Sequence, residues 1–300
     1  MQTGKLIKKA IAPLTAILFL AFCYLHKEAF RNLTSFPPDS LLCIVALYLL
    51  FHLTNALVLK QLSDKINPAG NLLFFVGVNQ ISSAWNYVAP LRLAQFGSRA
   101  LLLKKHLQIS ISQSAAQFSI ASIFNVICNV AATLLILFIE PQAVPNALLL
   151  TLAGLATLGG MATCLYLPRL SRSNASWMQE LAGPFQVLRG MDAFKLLSLN
   201  SIQITLSTAI TYVLFQGAGL VFELTDCILI ATASVLLSIV SLTPGNLGYK
   251  ELSLTLLGSW LGLEQGPLLA ALMLDRAIQL GLTLSLAAIF SLSLQRLSPP

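Results

Sequence analysis

Hydrophobic positions in this chain come in blocks, not in the alternation of a half-buried strand or the single stripe of a surface helix. The run from Leu41 to Leu59 and the charge-free run from Ala147 to Leu167 are each long enough to cross a hydrocarbon core, which takes about 20 apolar residues in a helix. The pattern predicts complete spans at residues 10–26, 41–59, 110–139, 146–167, 194–216 and 267–294. Two further apolar stretches, 71–103 and 227–263, are interrupted near their middles, the first by Pro90 and the second by Pro244, Gly245 and Gly248. Irregular backbone at membrane depth is tolerated where protein or a polar cavity surrounds it, so each stretch is expected to form a re-entrant helical hairpin, the alternative being two ordinary spans kinked at Pro90 and Pro244. The predicted fold class is an all-α, polytopic transmembrane bundle forming a single domain over residues 1–300.

Loop charges give this series an orientation, because cytoplasmic loops collect Lys and Arg. Lys5, Lys8 and Lys9 assign the N-terminus to the cytoplasm, and Lys60, Lys65, Lys104 and Lys105 then fall on that side too. The stretch between the last two pairs must therefore return to the side it left. Lys27 and Arg31 run against the rule, in a loop that Glu28 and Asp39 neutralise. Arg169, Arg172, Arg189 and Lys195 mark the next cytoplasmic loop and Arg296 a cytoplasmic C-terminus, whereas Glu223, Asp226 and Glu264 flank the second hairpin. The order helix, helix, hairpin, helix thus occurs twice with opposite orientation, over 1–139 and 140–300. Inverted repeats with Pro- or Gly-broken segments at matching places point to a transporter whose substrate sits where the breaks meet. Within the second half, residues 168–193 carry Trp177, Leu181, Phe185 and Leu188 at helical spacing and are expected along the cytoplasmic interface.

Composition agrees with this reading and removes others. The chain is 56% hydrophobic and 10% charged, with mean hydropathy +0.80, against about 25% charged residues in soluble domains. A net charge of +7 does not indicate nucleic acid, since the basic residues lie in short clusters between spans. The five cysteines sit in or beside apolar segments and form no C-x-x-C pair. The longest polar segment has about 26 residues, below the roughly 50 of a small domain. Nucleotide loops and metal-spaced Cys/His clusters are missing from the sequence. We therefore expect no cofactor, no metal and no enzymatic activity.

Charges inside the membrane carry the candidate chemistry. Arg92 and Arg99 follow the first break, Lys250 and Glu251 the second, and Asp275 and Arg276 lie well inside the last span. Each costs a few kcal/mol at mid-depth unless paired or hydrated, so the six are expected to share one cavity. With four basic residues, that cavity favours an anionic group such as phosphate. The structural alternative is that Glu251 or Asp275 simply pairs with Arg99 or Arg276 to join the hairpins. Two polar stripes, Ser114, Ser122, Asn125 and Asn129 on one helix and Asn200, Gln203, Ser207 and Thr211 on another, fit better as interhelical hydrogen-bonding positions than as ligand contacts. His52 and Asn55 suit either role.

The run Leu242-Thr243-Pro244-Gly245-Asn246-Leu247-Gly248-Tyr249-Lys250-Glu251, followed by Ala271-Leu272-Met273-Leu274-Asp275-Arg276, resembles the P-G-x-x-G-x-x-E element and later Arg-bearing helix of the lysylphosphatidylglycerol synthase transmembrane-region family. The segment Asn86 to Arg92 with Arg99-Ala100 resembles that family's N-x-x-x-P-G-R-x-G-E…R-A element. It departs from the element at Leu91 and Ala94, where glycines are expected, and at Gln95, where an acid is usual. The resemblance implies flippase-like movement of an anionic or phosphate-linked lipid, aminoacylated or glycosylated, across the inner membrane, without the aminoacyl-transferase domain that some members carry. The implied partner is the membrane lipid, with a separately encoded lipid-modifying enzyme as a candidate second one. A carrier of a small anionic solute is the nearest alternative. A lipid-modifying membrane enzyme with Glu251 or Asp275 as base, and a noncatalytic partner of one, are the others.

Overall fold

The computed structural model describes residues 36–87, 93–139, 190–240, 244–246 and 248–297. Among these residues there are eight α-helices and no strand: α1 (Pro38–Ser63), α2 (Leu72–Trp85), α3 (Leu93–Leu107), α4 (Ile111–Ile139), α5 (Gly190–Gly217), α6 (Leu224–Val240), α7 (Tyr249–Trp260) and α8 (Gln265–Leu297). A single 3-10 turn, Pro244–Asn246, separates α6 from α7. The predicted spans at 10–26 and 146–167, most of the interfacial segment 168–193, and the residues Pro90 and Arg92 lie outside the described residues. The last few residues of that segment, from Gly190, form the first turn of α5.

Four helices, α1, α4, α5 and α8, are long and apolar enough to cross a membrane, so the chain is a multi-pass membrane protein. Their large apolar side chains face both inward and outward. Leu42 and Leu50 on α1, Phe138 on α4 and Leu292 on α8 are exposed, while Ile44, Tyr48, Ile136 and Leu272 are buried. A helix that is apolar all round is what a lipid environment requires. The shorter helices α2, α3, α6 and α7 have 12 to 17 residues, which at 1.5 Å per residue is too short to cross about 30 Å of hydrocarbon.

Local signals set several helix ends. Pro38 occupies the first turn of α1, where its missing N–H has no partner to lose, with Asp39 beside it and Lys60 in the last turn to complement the dipole. Asn71 caps α2 by accepting a hydrogen bond from Phe74 N at 2.8 Å.

α1 and α5 pack antiparallel. Phe36 before α1 packs on Gly217 at the end of α5, and midway Gln203 Nε2 donates to Asn55 Oδ1 at 3.4 Å. At the other end Gln61 Nε2 donates to Asp192 O at 3.1 Å, and Lys65 Nζ is 2.8 Å from Asp192 Oδ1. The substantial helix pairings keep their pattern when α1 to α4 are exchanged for α5 to α8. The pairing α2–α8 has its counterpart in α6–α4, α1–α2 in α5–α6, α2–α3 in α6–α7, α3–α4 in α7–α8, α1–α4 in α5–α8, and α4–α5 in α8–α1, while α1–α5 maps onto itself. Three apolar clusters fill the interfaces, the largest joining α1, α4, α5, α6, α7 and α8 around Phe215, Leu229, Leu254 and Leu268.

Candidate functional site

The two helix interruptions touch. Gly245 N, in the second, donates to Asn86 O, in the first, at 2.9 Å. Gly245 holds φ 59°, in the left-handed region, and a Cβ there would stand 2.5 Å from Tyr87 Cδ1. Both facts demand glycine. Asn246 follows with φ 60°, a conformation Asn adopts more readily than other side chains. Gly248, at φ 78°, then caps α7, and Glu251 Oε2 accepts its N–H at 2.8 Å. The spacing Gly-x-x-Glu is thus a backbone cap in which the carboxylate three residues into the helix holds the amide that begins it.

From this junction the charges fan out. Glu251, 3% exposed, turns its other oxygen toward Arg276 Nε at 3.6 Å, and Arg276 lies over the Tyr87 ring at 5.4 Å. One cation therefore ties α8 to both interruptions. Arg276 is 6% exposed, and its Nε and Nη2 make no hydrogen bond among the described residues. Asp275, one residue back, accepts hydrogen bonds from the Tyr48 hydroxyl at Oδ1 and from Gln279 Nε2 at Oδ2, the latter at 3.0 Å. Gln279 also donates to the Tyr48 oxygen at 2.5 Å. Lys250, 9% exposed, borders the same space as Asp275. Arg99 on α3 donates to Asn79 Oδ1 at 2.7 Å and stands 5.9 Å from the centroid of Phe118.

Most of these groups border one polar cavity of about 310 Å³, walled by all eight helices and both interruptions. Of the predicted site residues, Arg99, Lys250, Asp275, Arg276 and Gly245 line it. Glu251 does not. It sits behind the wall, engaged with Gly248 and Arg276, the pairing foreseen as a structural role for one of the acids. The two polar stripes depart from the role favoured for them. Gln203 does bond across to Asn55, but Ser122, Asn125, Asn129, Asn200, Ser207 and Thr211 are wall residues of the cavity, as are His52 and Asn55. Ser114 is buried away from it. Tyr48, Asn79 and Gln279 are wall residues that the sequence reading passed over. Gln279 had a signal, lying one turn after Asp275 on the same helix face. Asn79 was a lone amide in an apolar run, and nothing distinguished Tyr48 from a core aromatic.

A family model described as lysylphosphatidylglycerol synthase TM region matches residues 6–287. The chain belongs to that family. No curated protein matches it. Membership connects this multi-pass protein with membrane lipids, and the match spans both interruptions and the Asp275-Arg276 pair, so the family's transmembrane region and the polar cavity are the same part of the molecule.

Proposed function

We propose that this protein is a flippase-like carrier that moves an anionic or phosphate-linked lipid across the inner membrane, its head group passing through the polar cavity while the acyl chains stay in the bilayer. One observation carries the reading: a cavity of about 310 Å³ at the meeting point of two broken helix pairs, inside an otherwise apolar bundle. That volume is at the small end of the range for ligand pockets and suits a head group, not a whole phospholipid. Arg99, Lys250 and Arg276 supply positive charge to a phosphate, and Arg92 joins them by its place after the first break. Asp275 and Glu251 orient these cations.

In this reading the two halves are inverted repeats and the broken pairs α2–α3 and α6–α7 are re-entrant hairpins. Supporting it are the antiparallel packing of α1 on α5, the pairing pattern preserved on exchange of halves, and the contact between the breaks. Both termini are cytoplasmic by loop charge. The role is transport and not group transfer, with the lipid as primary partner and a separate lipid-modifying enzyme as its supplier or consumer.

The test is head-group accessibility in proteoliposomes, using tail-labelled anionic and zwitterionic lipids and a membrane-impermeant quencher. Wild type is expected to expose anionic lipid faster than empty vesicles and faster than Arg99→Ala. Wild-type rates equal to those of empty vesicles would overturn the proposal.

A further inference from the structure

The two acids beside the cavity are held by different kinds of partner. Glu251 accepts the Gly248 backbone N–H at 2.8 Å and stands 3.6 Å from Arg276 Nε, groups that only donate, so its place demands a carboxylate. Asp275 is bonded instead by the Tyr48 hydroxyl at Oδ1 and by the Gln279 carboxamide at Oδ2, the latter at 3.0 Å. Both partners are neutral, and each carries an acceptor as well as a donor. A proton added at Oδ2 meets the Gln279 carbonyl oxygen once that amide turns over, at the loss of the Gln279 bond to the Tyr48 oxygen, while the Tyr48 hydroxyl keeps its bond to Oδ1. The site suits both forms of the acid.

Asp275 is also the acid that a ligand meets. Among the described residues no other acid lines the cavity, and Asp275 keeps part of its surface accessible. The titratable and charged groups around it are Tyr48 and His52 on α1, Tyr87 in the first interruption, Arg99 on α3, Lys250 on α7 with Glu251 behind it, and Arg276 on α8. His52 stacks on Tyr48 with 6.2 Å between ring centroids. The wall residues from α2, α4, α5 and α6 are neutral. A phosphate that engages Arg99, Lys250 and Arg276 sets a second negative charge in the space that Asp275 borders, and like charges sharing a low-dielectric site are relieved when one of them gains a proton. Of the two acids, Asp275 has the partners to accept it.

We propose, resting on the translocation reading above, that Asp275 is the site of a coupling proton, so that one proton accompanies each anionic head group across the membrane. The proton comes from water on the side of entry, adds to a carboxylate oxygen of Asp275 as the phosphate arrives, and returns to water on the side of exit as the phosphate leaves. A phosphodiester head group and its proton then cross with no net charge.

The full-length chain is tested in proteoliposomes with tail-labelled phosphatidylglycerol, at zero membrane potential and under a gradient of about one pH unit, which is worth at most about a tenfold imbalance of lipid between the leaflets for one proton per lipid. Wild type is expected to enrich the lipid on the alkaline side at least about threefold beyond empty vesicles. Asp275→Asn is expected to lose that enrichment and Asp275→Glu and His52→Gln to keep it, whatever their absolute rates. Enrichment kept by Asp275→Asn and lost in His52→Gln overturns the assignment to Asp275. Wild type that moves the lipid without responding to the gradient overturns the coupling and leaves translocation standing. In detergent, a pH dye in weak buffer follows the protein as dioctanoyl phosphatidylglycerol binds, with about one proton taken up by wild type at the pH of greatest uptake and none by Asp275→Asn. Binding without uptake in wild type overturns the proton site. If no lipid moves in vesicles yet this uptake occurs, translocation falls and the proton site holds. Uptake with free glycerophosphoglycerol but not with its lipid supports the proton site and overturns its lipid source.

Discussion

Gly245→Ala is the substitution on which the junction of the two interruptions can be tried most severely. The new methyl group would lie 2.5 Å from Tyr87 Cδ1 and 3.0 Å from Cε1, well inside contact distance. The left-handed conformation at φ 59° adds about 1–2 kcal/mol for any residue with a Cβ, and forcing a methyl into a packed site adds about 1–3 kcal/mol. The Gly245 N to Asn86 O bond is at risk as the backbone shifts, so the expected destabilisation is about 2–5 kcal/mol. Thermal unfolding in detergent measures it, with Gly97→Ala as control, since nothing lies within 4 Å of a Cβ at Gly97 and alanine is the better helix former there. Tyr87→Ala in the Gly245→Ala background removes the collision but not the backbone strain, so the double-mutant cycle should return a favourable coupling of about 1–3 kcal/mol. If Gly245→Ala unfolds with wild type, or if the cycle shows no coupling, the contact between the interruptions is not the one described and the cavity loses its floor.

Glu251→Gln keeps an oxygen to accept from Gly248 N but removes the counter-charge of Arg276, and is expected to cost about 3 kcal/mol or more, with Arg276→Met restoring much of it in the double variant; thermal unfolding of the four proteins decides. Tyr48→Phe takes a donor from Asp275 and an acceptor from Gln279, and should lower stability by about 1–3 kcal/mol, read from the same unfolding curves. Lys65→Ala breaks the link to Asp192 at the end of the α1–α5 seam, where the Lys65 side chain is 32% accessible and Asp192 is buried, so about 1–3 kcal/mol is expected from the same unfolding curves.

The long spans α1, α4, α5 and α8 were legible because twenty or more apolar residues have one physical outcome in a bilayer. The interruptions were legible too, since Pro244, Gly245 and Gly248 forbid a regular helix there. What the sequence could not order was the polar set. Asn125 and Asn129 share a helix face whether that face meets another helix or a cavity, because periodicity reports direction and not what lies opposite. Glu251 and Asp275 looked equivalent as buried acids. Their separation into a backbone cap behind the wall and a bonded carboxylate on it depends on where α7 begins relative to α8, a tertiary fact.

That separation bears on mechanism. Among the described residues the wall presents Arg99, Lys250 and Arg276 against the already bonded Asp275, and an uncompensated charge in a low-dielectric bundle costs several kcal/mol. In the proposed transport, a phosphate entering the cavity would complete this set of charges. The breaks matter for the same reason. A continuous helix satisfies its own backbone and has nothing to offer a ligand, whereas a helix that restarts at Gly248 places its positive end, with Lys250 in the first turn, beside the polar cavity. Exchanging Lys250 for Gln should therefore weaken anionic-lipid transport while leaving the fold intact, since the helix still begins at a glycine capped by Glu251. A loss of transport that also appears for zwitterionic lipid would mean that Lys250 serves the path and not the phosphate.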